Sequence, residues 1–148
     1  MDKNIAKEIK LPSVPKQVSN CLTMEEVKEM IDSFGYKTYF EARNKAIIAM
    51  FAETGIRSTE LRTLKNSDVN VKKGIIQIDG KGNRGRFVSI SMNLYNVLLK
   101  YEQIRKHHFE HAIIPNVFFL SNRGLGISHV GLDKIVKEAR EERYMGNL

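Results

Sequence analysis

Arg57 lies in the run Thr54-Gly55-Ile56-Arg57-Ser58-Thr59-Glu60-Leu61, and Lys81 follows 24 residues later in Gly80-Lys81-Gly82-Asn83-Arg84-Gly85-Arg86. A guanidinium at a helix start and an ammonium in a glycine-bracketed turn together make a clamp for one phosphate. The guanidinium can fork onto two oxygens, and the ammonium acts as a point charge with protons to give. Glu60 follows Arg57 by three residues, so the two side chains can meet across one helical turn. If Arg57 is to be held rigid, Glu60 is its natural orienter. Ser58 and Thr59 are adjacent hydroxyls, but no His–Asp pair is placed to activate them, and capping the short helix is their simpler role.

The surroundings of the pair are cationic. The chain of 148 residues carries a net charge of +7, and the charge is unevenly placed. Residues 1–70 hold 11 basic and 10 acidic side chains, whereas residues 71–148 hold 13 and 7. Between Lys72 and Arg86, the cations Lys72, Lys73, Lys81, Arg84 and Arg86 face Asp79 alone. Such a stripe suits a polyanion, nucleic acid being the usual one; a well-solvated basic hairpin has the same composition. Hydrophobic content of 42% with 28% charged residues suits one globular domain with a packed core and excludes wholesale disorder. The longest apolar run, Ala46–Ala52, is too short to span a bilayer, and the charged N-terminus does not read as a signal peptide. Cys21 has no partner for an internal disulfide, which fits a reducing cytoplasm.

Other patterns compete for attention and fail on context. Gly80-Lys81-Gly82-Asn83-Arg84-Gly85 matches G-x-G-x-x-G by letter, but a dinucleotide fingerprint must open a helix. Here it runs into strand-like Phe87-Val88-Ser89-Ile90. A Walker loop needs Lys and Ser/Thr after its last glycine, where this chain has Arg86-Phe87. A kinase glycine loop does lie on a hairpin, but its H-R-D and D-F-G companions are missing. His107, His108 and His111 with Glu110 suggest a metal, since His107 and His111 are four apart on an expected helix. The pattern H-E-x-x-H is absent and no third ligand is evident, so a solvated helix end is the reading and no metal is expected.

The elements that must position these residues follow from periodicity and caps. Residues 1–22, with Pro12 and Pro15, read as an extended lead-in arm, and residues 23–148 as the folded part. Thr23 and Glu26 form a capping box for a first helix ending at Gly35. A second helix, about Phe40 to Glu53, is apolar on more than one side and closed by Gly55, which makes it the central buried helix. A short third helix spans roughly Ser58 to Leu64. Val71–Ile78 and Arg86–Ile90 make a β-hairpin around the turn Asp79–Gly85. Ser91 caps a fourth helix, with Leu94, Val97, Leu98, Tyr101 and Ile104 on one face. Val117–Leu120 reads as a buried strand leading into the loop Ser121–Gly126. Ser128 caps a last helix that faces inward through Leu132, Ile135, Val136 and Ala139. The fold class is α+β, mainly helical, with a small antiparallel sheet at one edge.

The stretch from Arg43 to Ser91 resembles the tyrosine recombinase family, which includes the integrases of phages and mobile elements. In that family an apolar helix ends at T-G-[LI]-R, followed by S-x-E-L, L-x-x-x-D-[VI] and a hairpin G-K-G-N-[KR]-x-R-x-[VI]. Here these read Thr54 to Leu61, Leu64 to Val69, and Gly80 to Val88. Phe119-Leu120-Ser121-Asn122-Arg123-Gly124 and the Ser128 helix resemble the strand, loop and helix that precede the family's next motif. The resemblance implies a catalytic-domain fold in which Arg57 forks onto the scissile phosphate, Lys81 is general acid toward the leaving 5′ oxygen, and Glu60 buttresses the arginine. It further implies double-stranded DNA as partner, with Lys72, Lys73, Arg84, Arg86 and Arg123 on its backbone. The implied reaction is transesterification through a 3′-phosphotyrosyl link, without metal, ATP or other cofactor and away from membranes.

One departure is decisive. The family's H-x-x-R box and nucleophilic tyrosine lie downstream of the Ser128 helix, and no H-x-x-R occurs in this sequence. Tyr144 sits in a charged stretch and has no local mark of an activated nucleophile. The sequence is therefore expected to represent the N-terminal part of such a catalytic domain, a fragment inactive alone. A second expectation is a DNA-binding remnant with a regulatory or dominant-negative role, and a third is an unrelated nucleotide-binding enzyme. Apolar surface left uncovered on the central helix would favour self-association.

Overall fold

A computed structural model describes residues 23–78 and 85–146. The lead-in arm 1–22, Cys21 and most of the glycine turn, Asp79–Arg84 with Lys81, lie outside the described residues. The elements in chain order are α1 (Met24–Asp32), α2 (Tyr39–Thr54), α3 (Ser58–Thr63), β1 (Val69–Asn70), β2 (Ile75–Ile78), β3 (Arg86–Ser89), α4 (Met92–His108) and α5 (His129–Gly146). A 3₁₀ turn, Asn66–Asp68, joins α3 to β1.

The starts of α1, α2 and α4 are chemically marked. In the Thr23 box of α1, the Thr23 hydroxyl accepts the Glu26 N–H at 3.1 Å while Glu26 takes the Thr23 N–H at 3.0 Å. A second box, Thr38 with Glu41, opens α2, and Ser91 Oγ accepts the Leu94 N–H to open α4. Each satisfies backbone donors that a helix start leaves without intrahelical partners. The first helix stops at Asp32 with Ser33 as its C-cap, short of the expected Gly35, and Phe34 beyond it joins the core.

As its apolar run requires, α2 is the central helix, buried from Tyr39 through Phe51 on most sides. It packs against α1, α4 and α5, and α5 also closes over α1 and α3. The sheet is antiparallel in the order β1-β2-β3, with Ile76 opposite Val69 and Val88, and Ile78 opposite Arg86. Ile76 and Ile78 point into the core, while Ile75, Gln77 and Phe87 face out. The sequence led to two strands; the third, β1, is two residues long and too short for a periodicity to register. The expected single strand Val71–Ile78 is divided by a turn in which the Gly74 N–H donates to the Val71 carbonyl at 3.0 Å with Gly74 at φ 70°.

Phe118, Phe119 and Leu120 are buried but do not form the expected strand; their only ladder contact among the described residues is a bridge from Leu120 to Gly126. Side chains of α2 and α4 take its place. The Tyr101 hydroxyl donates to the Phe118 carbonyl and the Tyr39 hydroxyl to the Leu120 carbonyl, both at 2.8 Å, and the two hydroxyls touch at 3.1 Å. The Arg105 guanidinium donates to the Val117 carbonyl at 2.9 Å. Burial holds the Tyr101 phenol well above its ordinary pKa, so it stays a neutral donor. Tyr101→Phe leaves the buried Phe118 carbonyl unpaired and should cost about 1–3 kcal/mol in urea unfolding, with no change in helix content by circular dichroism.

Candidate functional site

The Thr54-Gly55-Ile56-Arg57 run is a device for turning the chain from α2 into α3. The Thr54 hydroxyl donates back to the Met50 carbonyl at 2.7 Å and accepts the Ile56 N–H at 3.2 Å. Gly55 takes the left-handed conformation, φ 69°, that ends a helix most cheaply without a Cβ. Ile56 is fully buried and pins the corner. Arg57 is then the N-cap of α3, its carbonyl accepting the Leu61 N–H at 2.8 Å. Ser58 is the first helical residue rather than the cap expected from its hydroxyl, because the box is closed from the other side by Glu60.

Glu60 joins three parts of the structure. Its Oε1 accepts the Arg57 backbone N–H at 2.9 Å. The guanidinium of Arg86, at the first position of β3, grips the same carboxylate with both terminal nitrogens, NH1 to Oε2 at 3.3 Å and NH2 to Oε1 at 3.4 Å. The Arg86 side chain is 40% exposed and the Glu60 side chain 11%, so the carboxylate is enclosed and the arginine lies over it. Glu60 thus orients Arg57 through its backbone, not through the side-chain pair expected across one turn. Among the described residues no carboxylate pairs with the Arg57 guanidinium, which is exposed. The same i, i+3 device recurs downstream, where Asp68 Oδ2 accepts the Lys65 N–H at 2.9 Å.

Of the remaining cations, Lys72 and Lys73 are exposed in the turn between β1 and β2, where the Lys73 N–H donates to Asn70 Oδ1 at 3.0 Å. Lys81 and Arg84 fall outside the described residues. Arg123 is exposed in the loop after Leu120, its N–H on Ser121 Oγ. His107 and His111 flank Glu110 at 3.4 and 3.7 Å, but α4 ends at His108, so they do not share a helical face. Among the described residues no group of three or more His, Cys, Asp or Glu could hold a metal, and no helix is long and apolar enough to cross a membrane.

Arg43 is the residue that sequence reasoning missed. It is 6% exposed on the inward face of α2 and donates to the Leu120 carbonyl, Asn122 Oδ1 and Asn44 Oδ1. Its guanidinium carbon lies 5.5 Å from the Phe40 ring centre. Burial lowers its pKa from the ordinary value, opposed by Tyr39, Tyr101 and Glu138. Its position four residues after Tyr39 and four before Ile47 was the available signal. Through it the loop bearing Arg123 is tied to the helix that leads to Arg57.

The fold is that of a tyrosine recombinase catalytic domain: the chain superposes on a crystal structure of XerA recombinase with a TM-score of 0.71, at 24% identity, covering 89% of this chain and 44% of that one. It also matches XerH site-specific recombinase, solved bound to difH substrate in a pre-cleavage complex, with a TM-score of 0.66 and 26% identity over 92% of this chain and 38% of that one. The chain belongs to the phage integrase family, whose model matches residues 20–146. Among curated relatives, the tyrosine recombinase XerD of Listeria monocytogenes serotype 4b (strain F2365) is 29% identical over 91% of this chain and 46% of its own length. Tyrosine recombinase XerC of Lactobacillus leichmannii is 30% identical over 88% and 44%. The chain spans just under half the length of these relatives.

Two expectations for stability follow. A Cβ at Gly55 would meet nothing within 4 Å, so Gly55→Ala tests backbone strain alone and should cost about 1–2 kcal/mol, with Gly55→Asn costing less. Both are read from chemical denaturation midpoints at unchanged slope.

Proposed function

We propose that this chain binds duplex DNA and carries the phosphate-side part of a site-specific recombinase centre. The observation that carries this reading is the junction at Glu60, which holds the Arg57 backbone and the base of the Lys81 turn to one carboxylate while the Arg57 guanidinium stays exposed. Arg57 forks onto the non-bridging oxygens of the scissile phosphate and stabilises the charge that develops there. Lys81, carried on the turn, protonates the leaving 5′ oxygen. A tyrosine oxygen forms the new bond to phosphorus as the P–O5′ bond breaks. The resulting 3′-phosphotyrosyl link is reversed when a 5′ hydroxyl attacks phosphorus and the phenol leaves. Neither metal nor cofactor enters this scheme.

These 148 residues contain no H-x-x-R, and the two tyrosines buried in the core are not free to act as the nucleophile. Tyr39 and Tyr101 are buried and bonded to backbone carbonyls. Because the catalytic groups of such a centre act as a unit, the chain alone binds without cleaving. The exposed Lys72 and Lys73, with Arg84 and Arg123, supply sequence-independent contacts to the DNA backbone. A binding-only, regulatory role in the cell has the same chemistry and is distinguished by whether a tyrosine-bearing partner segment restores strand cleavage.

Incubated with a nicked duplex that traps covalent intermediates, the chain should give no protein–DNA adduct on a denaturing gel; an adduct would contradict the reading. Its DNA affinity should fall linearly with salt on a log–log plot, and the double variant Lys72→Ala/Lys73→Ala should reduce that slope by about two. A salt-independent affinity would remove the phosphate-contact account.

A further inference from the structure

We propose that Arg86 is a positioning residue that keeps Glu60 off the Arg57 guanidinium, and not a DNA-backbone contact. Resting on the reading of Arg57 as the phosphate ligand, this replaces the expectation that Arg86 belongs with the DNA-contacting cations. Three observations carry it. First, both terminal nitrogens of Arg86 are engaged by Glu60, so the end-on fork of the guanidinium is committed to a carboxylate within the protein. Second, the carboxylate they grip is mostly enclosed and already accepts the Arg57 N–H. Third, Arg86 opens β3, paired with Ile78 at the base of the turn that bears Lys81.

The charge balance gives the arrangement its purpose. Glu60 serves where it is as the acceptor for an N–H that has no intrahelical partner at the start of α3. An enclosed carboxylate beside a phosphate-binding arginine competes with the phosphate for that arginine. Arg86 neutralises it from the opposite side, so the pair adds no net charge and Arg57 keeps its own. Without Arg86, Glu60 is left to pair with Arg57, three residues before it in the chain, releasing the backbone N–H and occupying the guanidinium. The same fork ties the first residue of β3 to α3.

The test uses the 148-residue chain and four variants: Arg86→Ala, Arg86→Lys, Glu60→Gln and the double Glu60→Gln/Arg86→Ala. The first readout is the Arg57 amide resonance and its hydrogen exchange in free protein. Arg86→Ala should shift the resonance and speed its exchange, with Arg86→Lys between Ala and wild type. The second readout is the affinity for a short duplex across a salt series. Arg86→Ala should weaken binding roughly tenfold and lower the salt slope by about one, and adding Glu60→Gln should return both toward wild type. An undisturbed Arg57 amide, with a slope loss that Glu60→Gln does not restore, would overturn the proposal and make Arg86 a phosphate contact. If the wild-type chain bound no DNA, the proposed function would fall, while the amide readout would still decide what Arg86 does.

Discussion

One enclosed carboxylate, Glu60, is the point on which the candidate site depends. It accepts from the Arg57 N–H and from both terminal nitrogens of Arg86, so a single side chain fixes a helix start and the base of a hairpin. Measured in water, a partly exposed ion pair of this kind contributes about 0–1 kcal/mol. Its importance is therefore geometric. The pair spans 26 residues of sequence, and it sets the start of α3 and the start of β3 in one frame. A site that stabilises a transition state gains from groups already in place before the charge develops.

That frame is only as rigid as the elements below it. The corner at Gly55 delivers Arg57 from a helix buried on most of its sides, and the buried Ile56 removes any freedom in the corner. Beneath α2, the hydroxyls of Tyr39 and Tyr101 with the guanidiniums of Arg43 and Arg105 bind the backbone of residues 117–120. An irregular buried segment must satisfy its polar groups somewhere, and here four side chains do what a neighbouring strand would otherwise do. The loop that carries Arg123 hangs from this segment, and α5 follows it back across α1, α2 and α3. The cations of the site are thus set by a core assembled from distant parts of the chain.

What the sequence made legible was what is local. The Thr23 box, the Gly55 terminus, the Ser91 and Ser128 caps and the inward face of the last helix all depend on residues within four positions of one another. The family resemblance was legible for the same reason, since its motifs are short and lie at fixed separations, and the match to residues 20–146 bears it out. What failed was what depends on distant partners. The three-residue spacing of Arg57 and Glu60 suggests a pairing of their side chains, whereas the guanidinium that reaches Glu60 comes from 26 residues away. Val117–Leu120 has the apolar run of a strand, and nothing in that run reveals that its partners are hydroxyls and guanidiniums on two helices. Arg43 was invisible as a structural group because a charged residue in a helical pattern reads as the solvated face, although its register with Tyr39 and Ile47 placed it inward.

The proposed function and the role proposed for Arg86 meet in one pair of arginines, Arg57 offered to phosphate and Arg86 committed to Glu60. The most direct measurement is a titration of the protein with a short DNA duplex, following the side-chain Nε–H resonances of the two arginines. The account predicts that the Arg57 resonance moves and its solvent exchange slows on binding, while that of Arg86 stays where it is in free protein. An Arg57 resonance unmoved by saturating DNA, with Arg86 shifting in its place, would contradict it.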